Sequence, residues 1–206
     1  EFKWVINIKN SLLYRFLKKF NLHKILEKHL PSPRDILLKK VPSNSICVEI
    51  GVWSGEFTQR ILNVVNPKKL YLIDPWLSYE NYYQIDSNAE KYSQSSQDMR
   101  YKSVLKRFKK EIETGKIEVF RDTSNNVIDS ILKNQKFDFV YIDGNHKYEF
   151  VLNDLKNFLP HITSRGFLGL DDYNFKSVRE AIKDFTSIYK PYKQELMKYN
   201  QYYIKP

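Results

Sequence analysis

The apolar run FDFVYI at residues 137–142 ends abruptly in the acid Asp143, and His146 follows three residues later. A second run, FLGL at residues 167–170, ends in the adjacent acids Asp171 and Asp172. Each run has the length and composition of a buried strand. In an open α/β sheet, ligands bind outside the carboxyl ends of the strands. As neighbouring parallel strands, the two runs would bring all four polar side chains into one crevice.

Three carboxylates crowded into such a crevice repel one another unless a cation neutralises them. An all-oxygen ligand set suits Mg²⁺, Ca²⁺ or Mn²⁺. Asp143, Asp171 and Asp172 are therefore candidate metal ligands, and the pattern indicates a metal-assisted enzyme. The alternative for Asp171 and Asp172 is an N-cap pair for the helix that follows them.

Size and composition favour one domain of 206 residues with a packed core, since 42% of the residues are hydrophobic. The single cysteine, Cys47, lies within an apparent buried strand, so neither a disulfide framework nor a thiolate metal site is expected. No apolar stretch approaches the ~20 residues of a membrane span, and no secretory signal is visible. We expect a cytoplasmic protein without a transmembrane segment. The start at Glu1-Phe2 suggests excision from a longer, multidomain protein.

The net charge of +10 is concentrated in residues 1–40, which hold ten basic and three acidic side chains. Residues 41–206 are nearly neutral, which argues against nucleic acid as a partner. Within 3–30, Leu, Ile and Phe recur at helical spacing until Pro31 and Pro33 end the pattern. We predict a basic helical extension over 1–40. It would serve as a cap on the catalytic body or a homodimer element, with a membrane-surface helix as the alternative.

From residue 45 onward, strands alternate with helices, which indicates βαβ units and a doubly wound, mostly parallel α/β sheet. The predicted strands are 46–50, 69–73, 117–120, 137–142 and 167–170, with extended pieces near 194–198 and 201–204. The predicted helices are 58–65, 101–113, 127–133, 148–159 and 177–189. We assign 41–206 to one domain with a polar, Tyr-rich insertion at 76–100, long enough to be a functional lid.

The first predicted strand passes into a glycine turn that reads EIGVWSG at residues 49–55. Gly51 and Gly55 permit a tight turn and close approach of a ligand to the backbone. The pattern E-x-G-x-x-x-G differs from the phosphate-cradling G-x-G-x-x-G, so it suits a ligand without a phosphate. The second strand ends in Asp74, where an acid accepts hydrogen bonds from both hydroxyls of a ribose. The third ends in RDTS at 121–124, at the place for the edge of an adenine.

With these strand ends in place, residues 45–206 resemble class I S-adenosylmethionine-dependent methyltransferases. The stretches IDGNHKY at 142–148 and DDY at 171–173, with Asp154-Leu155, Leu159-Pro160 and Gly166 between them, are similar to a bacterial subgroup of small O-methyltransferases. That subgroup includes metal-dependent sugar O-methyltransferases of macrolide tailoring and, more distantly, catechol O-methyltransferase. The resemblance implies a Rossmann-like sheet with a final antiparallel strand. Gly166 stands alone where relatives usually carry a glycine pair, which should alter only a turn.

The resemblance also implies roles for individual residues. The cofactor S-adenosylmethionine would have its ribose on Asp74 and its adenine on Asp122 and Ser124. The methionine part would be held by Glu49, Gly51 and the turn through Val52 and Trp53 to Gly55, and Asp143 would also bind the cofactor. Mg²⁺ or Mn²⁺ would be bound by Asp143, Asp171 and Asp172. His146 stands where the subgroup places its general base, with Lys147 as the rival base.

A vicinal diol suits this chemistry, because a metal that binds neighbouring hydroxyls orients the acceptor and lowers its pKa. An imidazole with an ordinary pKa of about 6.5 accepts the proton at neutral pH. A sugar or glycoside acceptor is favoured by the polar lid, by His146, and by lid side chains able to stack on a pyranose: Trp76, Tyr79, Tyr82 and Tyr83. Tyr173 is a further candidate for acceptor binding. The alternatives are plain packing for the lid tyrosines, a catechol or small-phenol acceptor, and a non-catalytic binding module of a larger glycan-synthesis protein.

Overall fold

The computed structural model describes residues 16, 18–19, 34–78, 93–191, 193–197 and 200–206. The chain divides into two compact units, Glu1–Ile36 and Leu37–Pro206, and the second contains the sheet. Most of the predicted N-terminal extension lies outside the described residues, although Phe16, Lys18 and Lys19 are helical and exposed. The predicted acceptor-binding residues Tyr79 and Tyr82, and Tyr83 beside them, also lie outside the described residues.

In the described part of the chain, seven strands form one sheet in the order β3-β2-β1-β4-β5-β7-β6. The strands β1 to β5 run parallel, and β7 and β6 complete the sheet antiparallel. The bounds are β1 Ile46–Ile50, β2 Lys69–Ile73, β3 Ile117–Phe120, β4 Phe137–Ile142, β5 Ile162–Leu170, β6 Lys193–Leu196 and β7 Tyr202–Lys205. The predicted doubly wound sheet with a final antiparallel strand is confirmed.

Two apolar clusters lie on opposite faces of the sheet, because successive side chains of a strand alternate between faces. In β4, Val140 and Ile142 belong to one cluster, whereas Phe139 and Tyr141 belong to the other. All six β4 residues are buried, as expected for the central strand of a parallel sheet covered on both sides. This burial fixes the register that places Asp143 at the strand end.

The helices that connect the strands contribute to both clusters. Their bounds are α1 Asp35–Leu38, α2 Glu56–Val64, α3 Gln94–Arg107, α4 Lys109–Glu113, α5 Ser124–Ser130, α6 Tyr148–Phe158 and α7 Lys176–Tyr189. Among these described helices, none is both long and apolar enough to cross a membrane.

The start of α3 departs from the sequence-based expectation, which placed residues 94–100 in a lid. Ser93 caps the helix, because its hydroxyl accepts a hydrogen bond from the Ser96 amide. Polar residues then fill the first turns, which hides the helical pattern from a hydrophobic-period analysis. The expected single helix over 101–113 is in fact two helices separated at Phe108, whose ring is buried.

Strand β5 begins five residues earlier than predicted, at Ile162 instead of Phe167. The polar residues Thr163 and Arg165 sit within this strand because the Asp138 carboxylate of β4 accepts hydrogen bonds from both. Burial alone would raise the pKa of Asp138, but the hydrogen bonds from Arg165, the Ile46 amide and Thr163 lower it below its ordinary value. This anchor holds β4 and β5 together at the end of the sheet opposite the site.

Candidate active site

The carboxyl ends of β1, β4 and β5 lie side by side, as the sequence predicted. Ile142 pairs with Ile50 on one side and with Leu170 on the other. The amide of Asp143 donates to the Ile50 carbonyl at 2.9 Å, and the amide of Asp171 donates to the Ile142 carbonyl at 3.1 Å. Pairing therefore continues one residue past the strands and brings the acids that follow into one crevice.

Three of the four predicted side chains form a compact group: Asp143, His146 and Asp172 each offer a ligand atom within 4.8 Å of the others. His146 Nε2 lies 3.0 Å from Asp172 Oδ2 and 3.9 Å from Asp143 Oδ1. Each side chain is partly exposed, although the His146 Nε2 atom itself is buried. The arrangement places one imidazole between two carboxylates on neighbouring strand ends.

The position of His146 between the two acids shifts the pKa of its imidazole. Burial on its own would lower the pKa of the imidazole, but hydrogen bonds and charge from Asp143 and Asp172 raise it to about 9. The His146 ring also stacks on Phe175 at 5.0 Å between ring centroids, with 14° between the ring planes. Phe175 thus fixes the orientation of the imidazole, a role that sequence analysis missed.

Asp171 is held differently from Asp172, although the two are adjacent. Its side chain is 6% exposed, and its Oδ1 accepts hydrogen bonds from Gln201 Nε2 and from the Asp172 amide. Asp172 has a positive φ of 56°, which directs its side chain toward His146. The N-cap alternative for these two acids is wrong, because the following helix α7 begins at Lys176 with Phe175 as its N-cap.

The glycine turn after β1 packs against the crevice directly. At Gly51, φ is 86°, and a Cβ there would lie 2.1 Å from the Asp143 carbonyl oxygen. At Gly55, φ is 77°, and a Cβ would lie 2.6 Å from the ring of Phe108. Both glycines are thus required by the close approach of this chain's own atoms, whereas the sequence suggested the approach of a ligand.

Two of the predicted methionine-binding residues, Glu49 and Val52, have buried side chains. Glu49 is 1% exposed, and its Oε2 accepts a 2.6 Å hydrogen bond from Thr58 Oγ1 in the first turn of α2. Val52 is buried in the core below the turn. Trp53 is half-exposed, and the Arg100 guanidinium of α3 lies 3.8 Å from its ring centroid.

The carboxylate of Asp74 is fixed by two backbone amides at the end of β2. Trp53 N donates to Oδ2 at 2.9 Å, and Trp76 N donates to Oδ1 at 2.7 Å. Burial raises the pKa of Asp74, and these amides together with the charge of Arg100 offset part of the increase. Both tryptophans have positive φ values, 56° and 43°, which are strained for bulky residues. The chain thus holds two strained residues to orient one carboxylate.

Trp76 does not present a stacking face to solvent, contrary to the sequence-based expectation. It is 1% exposed, its ring packs against Tyr101 at 5.0 Å, and its Nε1 donates to the Trp53 carbonyl at 2.9 Å. The backbone oxygen of Trp76 accepts from Gln94 Nε2 at 3.0 Å. Trp76 is therefore a buried link between the glycine turn, Asp74 and helix α3.

Asp122 and Ser124, predicted to contact adenine, have different surroundings. Asp122 is exposed, and its Oδ1 accepts hydrogen bonds from the Thr123 amide at 2.6 Å and from Asn126 Nδ2 at 2.9 Å. The Ser124 hydroxyl instead donates to the buried carboxylate of Asp154 on α6. The Ser124 side chain therefore joins two helices, α5 and α6.

Tyr173, the remaining predicted acceptor residue, follows Asp172 in the loop after β5. Its ring stacks on Tyr202 with centroids 4.9 Å apart and 8° between planes. Its amide donates to the Asn200 carbonyl at 3.0 Å. Tyr202 was missed by sequence analysis, because its position opposite the loop depends on the antiparallel pairing of β7 with β5.

This strand order, with a glycine turn after β1 and acids at the ends of β2, β4 and β5, is the class I methyltransferase fold. The family described as "Methyltransferase domain" matches residues 48–173, so the chain belongs to that methyltransferase family. The protein is an S-adenosylmethionine-dependent methyltransferase enzyme. The sequence matches none of the curated proteins.

Three solved O-methyltransferase structures are similar to this chain. The O-methyltransferase NovP has 15% identity and a TM-score of 0.57, over 84% of this chain and 75% of its own. CalS11, a TDP-rhamnose 3'-O-methyltransferase of calicheamicin biosynthesis, has 14% identity and a TM-score of 0.51, over 94% and 83%. A putative caffeoyl-CoA O-methyltransferase from Staphylococcus aureus has 12% identity and a TM-score of 0.56, over 99% and 98%. At these identities the likeness shows the fold alone.

Proposed function

We propose that this protein is a Mg²⁺-dependent O-methyltransferase that methylates a hydroxyl of a sugar, carried as a nucleotide sugar, a glycoside or a glycan. The observation that carries the proposal is the group formed by Asp143, His146 and Asp172 at the ends of β4 and β5. A hydroxyl acceptor needs both orientation and a base, because its own pKa is too high for it to react as an anion at neutral pH.

The donor set fits a divalent cation. Asp143 and Asp172 offer carboxylate oxygens of the kind that Mg²⁺ and Mn²⁺ prefer, and both carboxylates are within reach of solvent. The charge of protonated His146 stands between them and compensates their repulsion. Asp171, tied to Gln201, belongs to the same loop and is the third residue proposed to hold the ion. When bound, the cation would supply charge neutralisation and orient two neighbouring hydroxyls.

His146 is the residue proposed to remove the acceptor proton. With its pKa raised to about 9 by the two acids, it already carries a proton at neutral pH and is unable to accept another. A cation on Asp143 and Asp172 would cancel the charges responsible and return the imidazole to the range of a general base. The base and the metal site therefore depend on each other in this geometry. Lys147 forms the N-cap of α6 beside it and remains the alternative base.

The cofactor would bind across the ends of β1, β2 and β3. Glu49 and the turn from Gly51 through Val52 and Trp53 to Gly55 are proposed to meet the methionine part, with the Asp143 backbone against them. The oriented carboxylate of Asp74 is proposed to bind the ribose hydroxyls. Asp122 is proposed to meet the adenine edge. For Ser124 the proposal rests on its backbone, since its hydroxyl is bonded to Asp154.

A sugar acceptor is supported by two observations. The stacked pair Tyr173 and Tyr202 provides aromatic surface beside the catalytic group, in the loop that carries Asp172. CalS11, which shares the fold, is a TDP-rhamnose 3'-O-methyltransferase. Because Trp76 is buried, we assign the aromatic surface for the acceptor to Tyr173 and Tyr202.

An acceptor panel tests the proposal. The enzyme is incubated with labelled S-adenosylmethionine, Mg²⁺ and matched sets of deoxyhexose glycosides, nucleotide sugars and simple catechols, and the products are identified by mass spectrometry. Methylation of a sugar that carries a free vicinal diol supports the proposal. Turnover of catechols alone would replace the sugar with a phenol. Methylation of nitrogen would overturn the O-methyltransferase assignment.

A further inference from the structure

The C-terminal segment 200–202 contacts the catalytic loop 171–173 at three points. Tyr202 stacks on Tyr173, the Asn200 carbonyl accepts from the Tyr173 amide at 3.0 Å, and Gln201 Nε2 donates to Asp171 Oδ1. The segment leads into β7, which begins at Tyr202 and pairs antiparallel with β5. Residues far apart in sequence are thus packed together next to the proposed metal site.

Of the three residues in this segment, Gln201 is the least exposed to solvent. It is 1% exposed, and both ends of its amide are bonded: Tyr141 OH donates to Oε1 at 2.9 Å, and Nε2 donates to Asp171 Oδ1. Because the Tyr141 hydroxyl acts as the donor on one side, the amide nitrogen faces the carboxylate on the other. Tyr141 is itself fully buried in β4, so the amide is held by the core of the sheet.

The Asp171 carboxylate in turn holds the backbone of Asp172. The same oxygen that accepts from Gln201 also accepts from the Asp172 amide at 2.8 Å. Asp172 lies in the left-handed region, where a residue other than glycine is strained unless the surroundings hold it. That conformation carries the Asp172 carboxylate to 3.0 Å from His146 Nε2.

We propose that Gln201 is a positioning residue for the catalytic carboxylates. It holds Asp171 from the buried side, Asp171 holds the Asp172 backbone, and Asp172 completes the group with Asp143 and His146. The inference rests on the proposed function, in that the group it positions is proposed to bind a divalent cation. Residues behind metal ligands typically affect metal affinity about 10–100-fold when they are replaced.

The test compares Gln201→Met with the wild type. Methionine matches the length of glutamine and removes both polar atoms. Mn²⁺ is titrated into each protein without acceptor and followed by electron paramagnetic resonance, and S-adenosylhomocysteine binding is measured by calorimetry. We expect Mn²⁺ to bind Gln201→Met about 10–100-fold more weakly, with S-adenosylhomocysteine affinity unchanged. Equal Mn²⁺ affinity in the two proteins would overturn the inference.

Two further variants make the result specific. Thr163→Val removes a hydrogen bond to Asp138 at the opposite end of β5 and should leave Mn²⁺ affinity unchanged. Tyr141→Phe keeps the ring and removes only the donor to Gln201, so it should also weaken Mn²⁺ binding. If Gln201→Met does not fold, the Mn²⁺ affinity of Tyr141→Phe tests the inference instead. Wild-type protein that binds no Mn²⁺ would instead refute the proposed metal site.

Discussion

His146 Nε2 lies 3.0 Å from Asp172 Oδ2, although the two residues come from different strand ends, after β4 and after β5. The contact joins the base proposed for methyl transfer to a carboxylate proposed to bind the metal. It raises the pKa of His146 through hydrogen bonding and charge, together with Asp143. We therefore propose that this group has two states, one in which a proton on His146 balances the acids and one in which a cation does.

Replacement of Asp172 by asparagine should abolish methyl transfer while S-adenosylhomocysteine still binds. The side chain keeps its size but loses the charge that would hold a cation. Turnover is measured with labelled S-adenosylmethionine, and binding by calorimetry. Glu180→Gln, on the exposed side of α7, is a matched acid-to-amide control that should retain full activity. Activity of Asp172→Asn close to that of the wild type would refute the metal hypothesis.

Replacement of His146 by alanine should reduce the rate of methyl transfer about 10²–10⁴-fold, because a positioned general base contributes on that order. The affinity for S-adenosylhomocysteine should not change, since the imidazole stacks on Phe175 and faces the acids. Rate measurements are made at saturating cofactor over a range of pH. Lys147→Ala serves as the comparison. A larger rate loss in Lys147→Ala than in His146→Ala would transfer the role of base to Lys147.

Replacement of Trp76 by phenylalanine should weaken cofactor binding without a change in the acceptor KM. Phenylalanine fills most of the buried site but lacks the Nε1 donor that links Trp76 to the Trp53 carbonyl. The strained turn that orients Asp74 is then less constrained. Calorimetry with S-adenosylhomocysteine measures the effect, and Asp74→Asn should weaken binding further. A cofactor affinity that is unchanged in both variants would mean that the ribose binds elsewhere.

Asp154 should make the stability of the protein depend on pH. Burial raises the pKa of its carboxyl to about 7, despite the hydrogen bond from Ser124. The unfolded chain loses this proton near its ordinary pKa of about 3.9, so the folded state binds more protons between those two values. The contribution of Asp154 to the free energy of unfolding is therefore greatest below pH 4 and falls as the pH rises to about 7.

Urea denaturation at a series of pH values measures this effect in the wild type and in Asp154→Asn. Asparagine retains an acceptor for Ser124 and has no proton to release. As the pH rises from 4 to 7, the free energy of unfolding of the wild type should decrease relative to that of Asp154→Asn. A constant difference across that range would contradict a raised pKa of Asp154.

The sheet and the acidic ends of β4 and β5 could be predicted from the sequence because each depends on a local pattern. FDFVYI is apolar except for Asp138, so it must be covered on both faces, and its end at Asp143 is abrupt. The run FLGL at 167–170 likewise ends abruptly in the acids Asp171 and Asp172. Two neighbouring parallel strands with polar ends define a crevice. Gly51 and Gly55 were recognised as a turn, although the atoms that exclude a side chain there belong to Asp143 and Phe108.

The side chains behind the site could not be predicted, because their partners come from distant segments. Gln201 reaches Asp171 only through the antiparallel pairing of β7 with β5, and nothing around residue 201 signals a buried amide. Tryptophan is a residue type that stacks on ligands, but the positive φ of Trp76 directs its side chain into the core. Ser124 faces Asp154 because α5 begins at Ser124, three residues before the predicted start.

We propose that methyl transfer depends on a divalent cation held by the group around Asp143 and Asp172. The most direct test is transfer of a labelled methyl group from S-adenosylmethionine to a diol-bearing sugar glycoside, measured with Mg²⁺, after EDTA, and after Mg²⁺ is restored. We predict product with Mg²⁺, none in EDTA, and full recovery on restoration, with S-adenosylhomocysteine bound in all three conditions. Undiminished transfer in EDTA would contradict the claim.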